Sequence, residues 1–269
     1  MPEPGNAAFE VSPIGYVRCG ERYRFEAPRQ GVYAVNTGRI EWVPNHRYHE
    51  AAADLAGFDR IWVVFLFHLN QTWNLRVAPP VAPPGRRIGV LATRSPHRPN
   101  RIGLSCVELA GVTPEGLDIC RFDMLDGTPV LDVKPYIPAA DAFPEAAVGW
   151  LAEAAPDPYE LVFAPRFCEK NALIAAHGGP DLENFARIQL GNAPLDAARK
   201  RLEPRADGDW EIGCRTWRLV FSVDAERRRV TVSDIRSHYT EADMAPDAPD
   251  RYGDLELHRR FRERFPEAR

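Results

Sequence analysis

The amino-acid sequence predicts a mainly β protein in two parts, a barrel or sandwich in the first half and a smaller α+β unit behind it. Three observations carry this. Short apolar segments separated by Gly and Pro recur from Ile14 to about Val133, as expected of a closed or layered antiparallel sheet. After Pro138 the pattern lengthens into helical stretches. Further on, Trp217, Leu219, Phe221 and Val223 alternate strictly, which places them on one face of a strand.

In chain order, residues 1–12, rich in Pro, Gly and Ala, are an expected loose leader. Strands are predicted over 13–18, 39–43, 60–67, 88–92, 104–109, 117–124 and 130–133, each a short apolar or alternating run bounded by turn residues. One helix is expected at 48–56, with Gly57 as its C-cap. Pro79, Pro80, Pro83 and Pro84 before Gly85 predict a stiff exposed loop, because proline donates no backbone hydrogen bond. A helix over 144–154 is followed by Pro156 and Pro158, which read as a boundary. The predicted division is a leader at 1–12, a first domain at 13–155 and a second at 156–269. In the second, helices are expected at 167–176 before Gly178-Gly179, at 182–190 and at 194–202. Val230 and Val232, behind the turn residues Asp224 to Arg227, complete a hairpin.

Composition narrows the class. With 45% hydrophobic residues in a chain of 269, cores form without covalent staples. Cys19, Cys106, Cys120, Cys168 and Cys214 are far apart, odd in number and without a CxxC pair. They are expected to be reduced core thiols, with no metal site and no disulfide framework. The longest apolar run, residues 61–67, is too short to span a bilayer, and no signal peptide opens the chain. A cytoplasmic protein without membrane attachment is therefore expected. No Gly-x-Gly-x-x-Gly opens a helix after a strand, so a dinucleotide-type fold has no support.

The net charge of −4 hides a local imbalance. Between Asp59 and Glu108 there is no acidic residue, while Arg60, Arg76, Arg86, Arg87, Arg94, Arg98 and Arg101 fall in that stretch without a single lysine. Arginine forks suit phosphate and carboxylate. The field predicts an anion-binding surface, for RNA phosphates or an anionic group on a substrate; a solvated face neutralised from elsewhere is the alternative.

Inside this stretch lies ATRSPHRPNRIGLS, residues 92–105, where two prolines hold an arginine-rich loop extended between two apolar β runs. A second string, LDGTPVLDVKPYIP, covers residues 125–138. Asp126-Gly127 reads as a turn, and Asp132, Lys134 and Tyr136 alternate onto one face if the strand continues. By pattern alone this is a hairpin with a half-buried strand.

The two strings closely resemble the signature of the TrmO family, the tRNA threonylcarbamoyladenosine methyltransferases, also called TsaA-like or YaeB-like. The match spans roughly residues 14–138, and the later residues look more loosely like the C-terminal extension of bacterial members. The resemblance implies a small antiparallel β-barrel that binds S-adenosylmethionine, with a smaller α+β C-terminal domain. It also implies a homodimer with the cofactor pocket near the subunit contact. Carried over by position, the cofactor contacts fall on Pro28, Arg29, Gln30, Phe67, His68, Arg94, Leu104, Asp123, Met124, Leu125, Asp126 and Gly127. After His68 this chain has Leu69-Asn70 where many members are more polar, so only a backbone contact is expected there.

The acceptor implied is N6 of N6-threonylcarbamoyladenosine at position 37, in the tRNA anticodon loop. That nitrogen is conjugated with a purine and a urea carbonyl, so a proton acceptor should assist. Asp126, Asp132 and Tyr136 are the candidate bases or orienting groups, and Lys134 an electrostatic helper. Arg98, Asn100 and Arg101 are the expected receptors for the substrate, through its threonine carboxylate. Two rivals remain at this stage: a methyltransferase for another anionic substrate, and a non-catalytic sensor or RNA-binding module.

Overall fold

The computed structural model describes residues 9–83, 85–153, 158–197, 200–245, 247–250 and 252–266. Most of the expected leader, together with Pro84, Pro156 with the 155/156 boundary, and Arg199, lies outside the described residues. The chain groups into two compact units, Met1–Glu153 and Ala154–Arg269.

The first unit is a closed antiparallel barrel. Its strands are β1 (Gly15–Cys19), β2 (Thr37–Trp42), β3 (Arg60–Leu66), β6 (Ile102–Thr113), β7 (Gly116–Cys120) and β8 (Pro129–Pro135), joined in the order β1-β2-β7-β6-β3-β8 and back to β1. Between β3 and β6, β4 (Arg76–Val77) and β5 (Ile88–Gly89) form a separate two-stranded ribbon. Strand β3 shows why the barrel closes: Ile61, Val63 and Phe65 point inward and are buried, while the residues between them are only partly covered. They meet Val17, Ile40, Val107, Leu117, Ile119 and Val130 from the other strands in one core. Strand β6 is long enough to serve two neighbours, pairing through Glu108 with β3 and from Glu108 onward with β7. A register shift between Leu109 and Gly111 bends it from one to the other. Gly103 is required opposite β3, since a Cβ there would overlap the Phe65 ring.

Several expected elements differ. The predicted strand at 88–92 is two residues of β5 followed by a 3-10 turn at Val90–Ala92. The predicted strand at 117–124 ends at Cys120, because Arg121 takes a positive φ of 53° and breaks the pleat. The helix expected at 48–56 is one α turn, α1 (Tyr48–Ala51), then a 3-10 turn at Ala53–Leu55, with Gly57 at φ 101° closing it. Across the described part of the helix expected at 144–154 only a 3-10 stretch forms, Gly149–Glu153, which Gly149 opens at φ 58°; one α turn, α2 (Pro138–Asp141), lies before it.

The second unit is a five-stranded sheet in the order β10-β11-β12-β13-β9, built from β9 (Glu160–Phe163), β10 (Leu202–Pro204), β11 (Trp210–Cys214), β12 (Trp217–Asp224) and β13 (Arg229–Ser237). All neighbours are antiparallel except β9, which lies parallel to β13. Trp217, Leu219 and Phe221 are fully buried, the inward set of the alternation. Helices α3 (Pro165–Ala176) and α5 (Leu255–Arg264) pack on β13, and α4 (Leu182–Leu190) starts at Asp181, whose carboxylate accepts from the Asn184 amide. No helix forms across the described part of 194–202. There the Lys200 ammonium donates to the carbonyls of Asn192 and Ala193 and folds the segment back on itself.

Of the five cysteines only Cys214 is fully buried, and Cys168 is exposed on α3, so the expectation of core thiols fails there. Among the described residues no helix is long and apolar enough to cross a membrane.

Candidate active site

One end of the barrel gathers most of the singled-out residues, because four connections meet there: the exit of β3, the loop entering β6, the segment from β7 to β8, and the loop between β1 and β2. The loop of residues 93–101 is held by its own polar groups. The Arg98 guanidinium donates to the Thr93 carbonyl at 3.1 Å, and the Ser95 and His97 amides donate to the Thr93 and Ser95 hydroxyls. Arg101 donates to the Asn70 carbonyl at 2.9 Å, while its own carbonyl accepts from the Phe67 amide at 2.8 Å. The buried Asn70 side chain meets the His97 ring at 3.3 Å. Asn100 and Arg101 both stand at positive φ, 60° and 56°, conformations that bulky residues adopt only where the surroundings impose them.

Across from this loop, Pro28, Arg29 and Gln30 lead into a 3-10 turn at Gly31–Tyr33. Gly31 lies against the backbone of Arg121 and Phe122, where any Cβ would overlap the Arg121 carbonyl. Asn36, buried, clamps the same segment: its side chain donates to the Phe122 carbonyl and accepts from the Phe122 amide, both at 3.2 Å. The next residue, Asp123, turns its carboxyl inward and accepts a short hydrogen bond from the Ser105 hydroxyl. Burial pushes the Asp123 carboxyl above the usual carboxylate range, against the hydrogen bond from Ser105 and the nearby charge of Arg94. Arg94 in turn donates to the Gln30 side-chain oxygen at 2.8 Å. Gln30, Arg94, Asp123 and Ser105 thus form one connected polar cluster, beside the exposed Leu104.

The turn before β8 completes this end. Asp126 accepts from the Cys19 amide at 3.2 Å, and Gly127, at φ 75°, donates to the Val17 carbonyl. The Thr128 hydroxyl accepts from the Leu125 amide and lies 3.5 Å from the His68 ring. Burial lowers the pKa of His68, which keeps its imidazole neutral near pH 7. The Met124 side chain belongs to the barrel core, and Leu125 is buried with its amide and carbonyl both bonded to Thr128.

The three candidate catalytic residues do not converge within one chain. Asp126 precedes β8 and Tyr136 follows it, and a strand of that length separates them by about 20 Å. The Tyr136 amide donates to the Arg60 carbonyl at the opposite end of β3, and its ring packs on Trp62 at 5.8 Å between centroids. Lys134 is paired with Asp132 at 2.9 Å, and both are largely exposed on the outer face. Among the described residues, Arg60 and Arg86 of the arginine field are paired with Glu108 and Glu153. The side chains of Arg76, Arg87, Arg94, Arg98 and Arg101 instead donate to carbonyl or amide oxygens. Among the described residues, no neutralising carboxylate meets Arg76, Arg87, Arg98 or Arg101, whereas Asp123 lies near Arg94.

Asn36, Ser105 and Thr128 were not singled out from the sequence. Ser105 sits at the end of the first string, where it reads as an inward strand residue; Asn36 carries no local signal, since its partners are 86 residues away. Chemically, the cluster offers a guanidinium for a carboxylate and a buried acceptor for a cationic or hydroxyl group. It therefore suits a ligand with the mixed charges of an amino-acid-bearing nucleoside.

Comparison with known proteins gives the same direction. The model of the tRNA-methyltransferase O N-terminal domain matches residues 16–142. A protein of Escherichia coli K12 named tRNA (adenine(37)-N6)-methyltransferase is 34% identical over 201 residues, 72% of this chain and 85% of that one. A Pseudomonas aeruginosa protein, provisionally named the S-adenosylmethionine-dependent methyltransferase RcsF, is 37% identical over 211 residues, 77% of this chain and 85% of that one. The crystal structure of TrmO from Pseudomonas aeruginosa superposes with a TM-score of 0.62 at 28% identity, covering 86% of this chain and 99% of its own.

Proposed function

The chain belongs to the tRNA-methyltransferase O family and is an S-adenosylmethionine-dependent methyltransferase, and we propose that it methylates N6 of N6-threonylcarbamoyladenosine at position 37 of tRNA. The observation that carries this reading is the arginine field at the end of the barrel. The guanidiniums of Arg94, Arg98 and Arg101 hydrogen-bond to neutral oxygens, which leaves their charge for bound ligands. A base bearing a carboxylate, in an RNA loop bearing phosphates, is the acceptor that such a field favours.

When bound, S-adenosylmethionine supplies a methyl group already activated on a sulfonium. The protein's task is then to align and to manage one proton. Arg94 receives the carboxylate of the cofactor, Gln30 orients that guanidinium, and the backbone of residues 123–127 lines the nucleoside. Arg98, Asn100 and Arg101 receive the threonine carboxylate of the modified base. Asp126 would accept the N6 proton of the acceptor as the methyl group is transferred. Lys134 and Tyr136 join this site only if a second copy presents them. A homodimer is consistent with the exposed Val32, Tyr33, Ile102 and Leu104 at this end of the barrel. Positioning of this kind supplies on the order of 7–11 kcal/mol in favourable cases.

The test is methyl transfer from labelled S-adenosylmethionine to bulk tRNA from cells with and without the threonylcarbamoyl modification. Incorporation only into modified tRNA is expected. Equal incorporation into both removes the modified base as acceptor. Cofactor binding with no incorporation into either moves the reading to another anionic substrate or a sensor.

A further inference from the structure

Beside the Arg94–Gln30 contact opens a cleft of about 880 Å³, walled by the ribbon and proline loop of residues 74–81, by residues 91–97 and by Trp150 and Leu151. Among the described residues lining it none is acidic, and Arg76, Arg87 and Arg94 all contribute. Arg76 and Arg87 face each other across the ribbon, each guanidinium donating to the other's carbonyl, at 2.5 and 2.7 Å. That exchange occupies one nitrogen of each fork, holds two like charges on one short ribbon, and leaves further N–H groups to donate. Glu153, two residues past the lining residue Leu151, is paired with Arg86. On the opposite wall the Trp150 indole donates to the Ala92 carbonyl at 2.8 Å, which fixes the ring.

We propose that this cleft binds the sugar-phosphate backbone and one base of single-stranded RNA next to the nucleotide being methylated, with Arg76 and Arg87 on a phosphodiester and Trp150 as the stacking surface. The inference rests on the RNA reading above and adds a second subsite to it. Paired arginine forks match phosphate oxygens bidentately. A fixed aromatic face suits an unpaired base of any identity. The volume falls within the range of about 300–1,000 Å³ typical of organic ligand sites, far more than a lone anion needs. Because Gln30 and Arg94 line this cleft and also belong to the polar cluster, RNA held here lies next to the reacting base.

The experiment measures binding of threonylcarbamoylated tRNA and of S-adenosylmethionine to the full chain and to its Arg76→Ala/Arg87→Ala variant, from 50 to 300 mM salt. The variant is expected to bind tRNA at least tenfold more weakly at 150 mM salt, with a salt slope shallower by about one to two, and the cofactor within twofold. Unchanged tRNA affinity and slope overturn the subsite. If the variant does not fold, 4-thiouridine photocrosslinking of an anticodon stem-loop to the unaltered protein decides. Crosslinks on residues 74–81 or at Trp150 are expected, and crosslinks confined to other regions overturn the subsite. Inorganic phosphate or adenosine monophosphate protecting the cleft while RNA crosslinks elsewhere makes it a small-anion site and also overturns it. A wild-type protein that binds no tRNA at all instead overturns the RNA reading on which the subsite rests.

Discussion

Arg94 is charged, yet its hydrogen-bond partner is the neutral amide of Gln30, and the buried carboxyl nearest its charge, Asp123, is held by Ser105. On the proposed cofactor contact, removing the guanidinium takes away the counter-ion of the cofactor carboxylate and little of the fold. Arg94→Ala is therefore expected to raise the dissociation constant for S-adenosylmethionine by tenfold or more in calorimetry, with the melting temperature within about 2 °C. Asp123 poses the opposite case. A folded pKa above the unfolded one means that its contribution is full below the ordinary carboxylate pKa and is lost as pH rises through the elevated value. Burial thus opposes ionisation of this carboxyl. Asp123→Asn keeps an acceptor for Ser105 and has nothing to ionise, so melts at pH 8 should show equal or higher stability, while methyl transfer falls. A large drop in stability would show that the carboxylate braces the fold.

At the scale of elements, two close approaches decide where the barrel tolerates change. The Cβ of Gly31→Ala would meet backbone, which cannot rotate away, so the loop of residues 28–33 must shift off the segment that Asn36 clamps. Cofactor affinity should fall sharply with the barrel still folded, as seen by circular dichroism. In Gly103→Ala the new Cβ meets the ring of Phe65 inside the core. Overpacking of this kind costs about 1–3 kcal/mol, and a denaturant midpoint lowered accordingly is the expected result. The same loop-to-loop contacts explain why the site was only partly legible. The strings at 92–105 and 125–138 were visible because their Pro, Gly and Arg content is local. The coupling of Ser105 to Asp123, or of Asn36 to Phe122, spans 18 or 86 residues and leaves no local pattern.

At the scale of the whole molecule, the second unit carries a buried polar knot unrelated to the barrel. His258 is fully buried against the Trp217 ring at 3.7 Å, with its two ring nitrogens 2.8 Å from the Ser237 and Thr216 hydroxyls. Thr216 gives its single proton to Asp254, so Nε2 of the imidazole carries the ring proton and Nδ1 accepts from Ser237. Burial depresses the His258 pKa despite the nearby Asp254 carboxylate, which itself is held low by His258 and Thr216 against its own burial. A depressed folded pKa contributes stability that is present above about pH 6.5 and lost as pH falls through the folded value. As pH falls from 7 to 5 the second unit should lose stability, and a His258→Gln variant should show a flatter profile over that window in thermal melts.

The sequence by itself determined the strand-rich first half, the hairpin of the second unit, the arginine field and the two strings that identify the family, because each is written in local composition, period two or contiguous residues. Helical periodicity at 144–154 and 194–202 yields to the backbone turn at Gly149 and the Lys200 contacts, and α5 has no counterpart in the sequence reading. Only the tertiary structure decided which residues share one end of the barrel. Strand order and register, not sequence distance, bring Gln30 to Arg94 and Ser105 to Asp123, and carry Tyr136 about 20 Å away from Asp126 along a single strand.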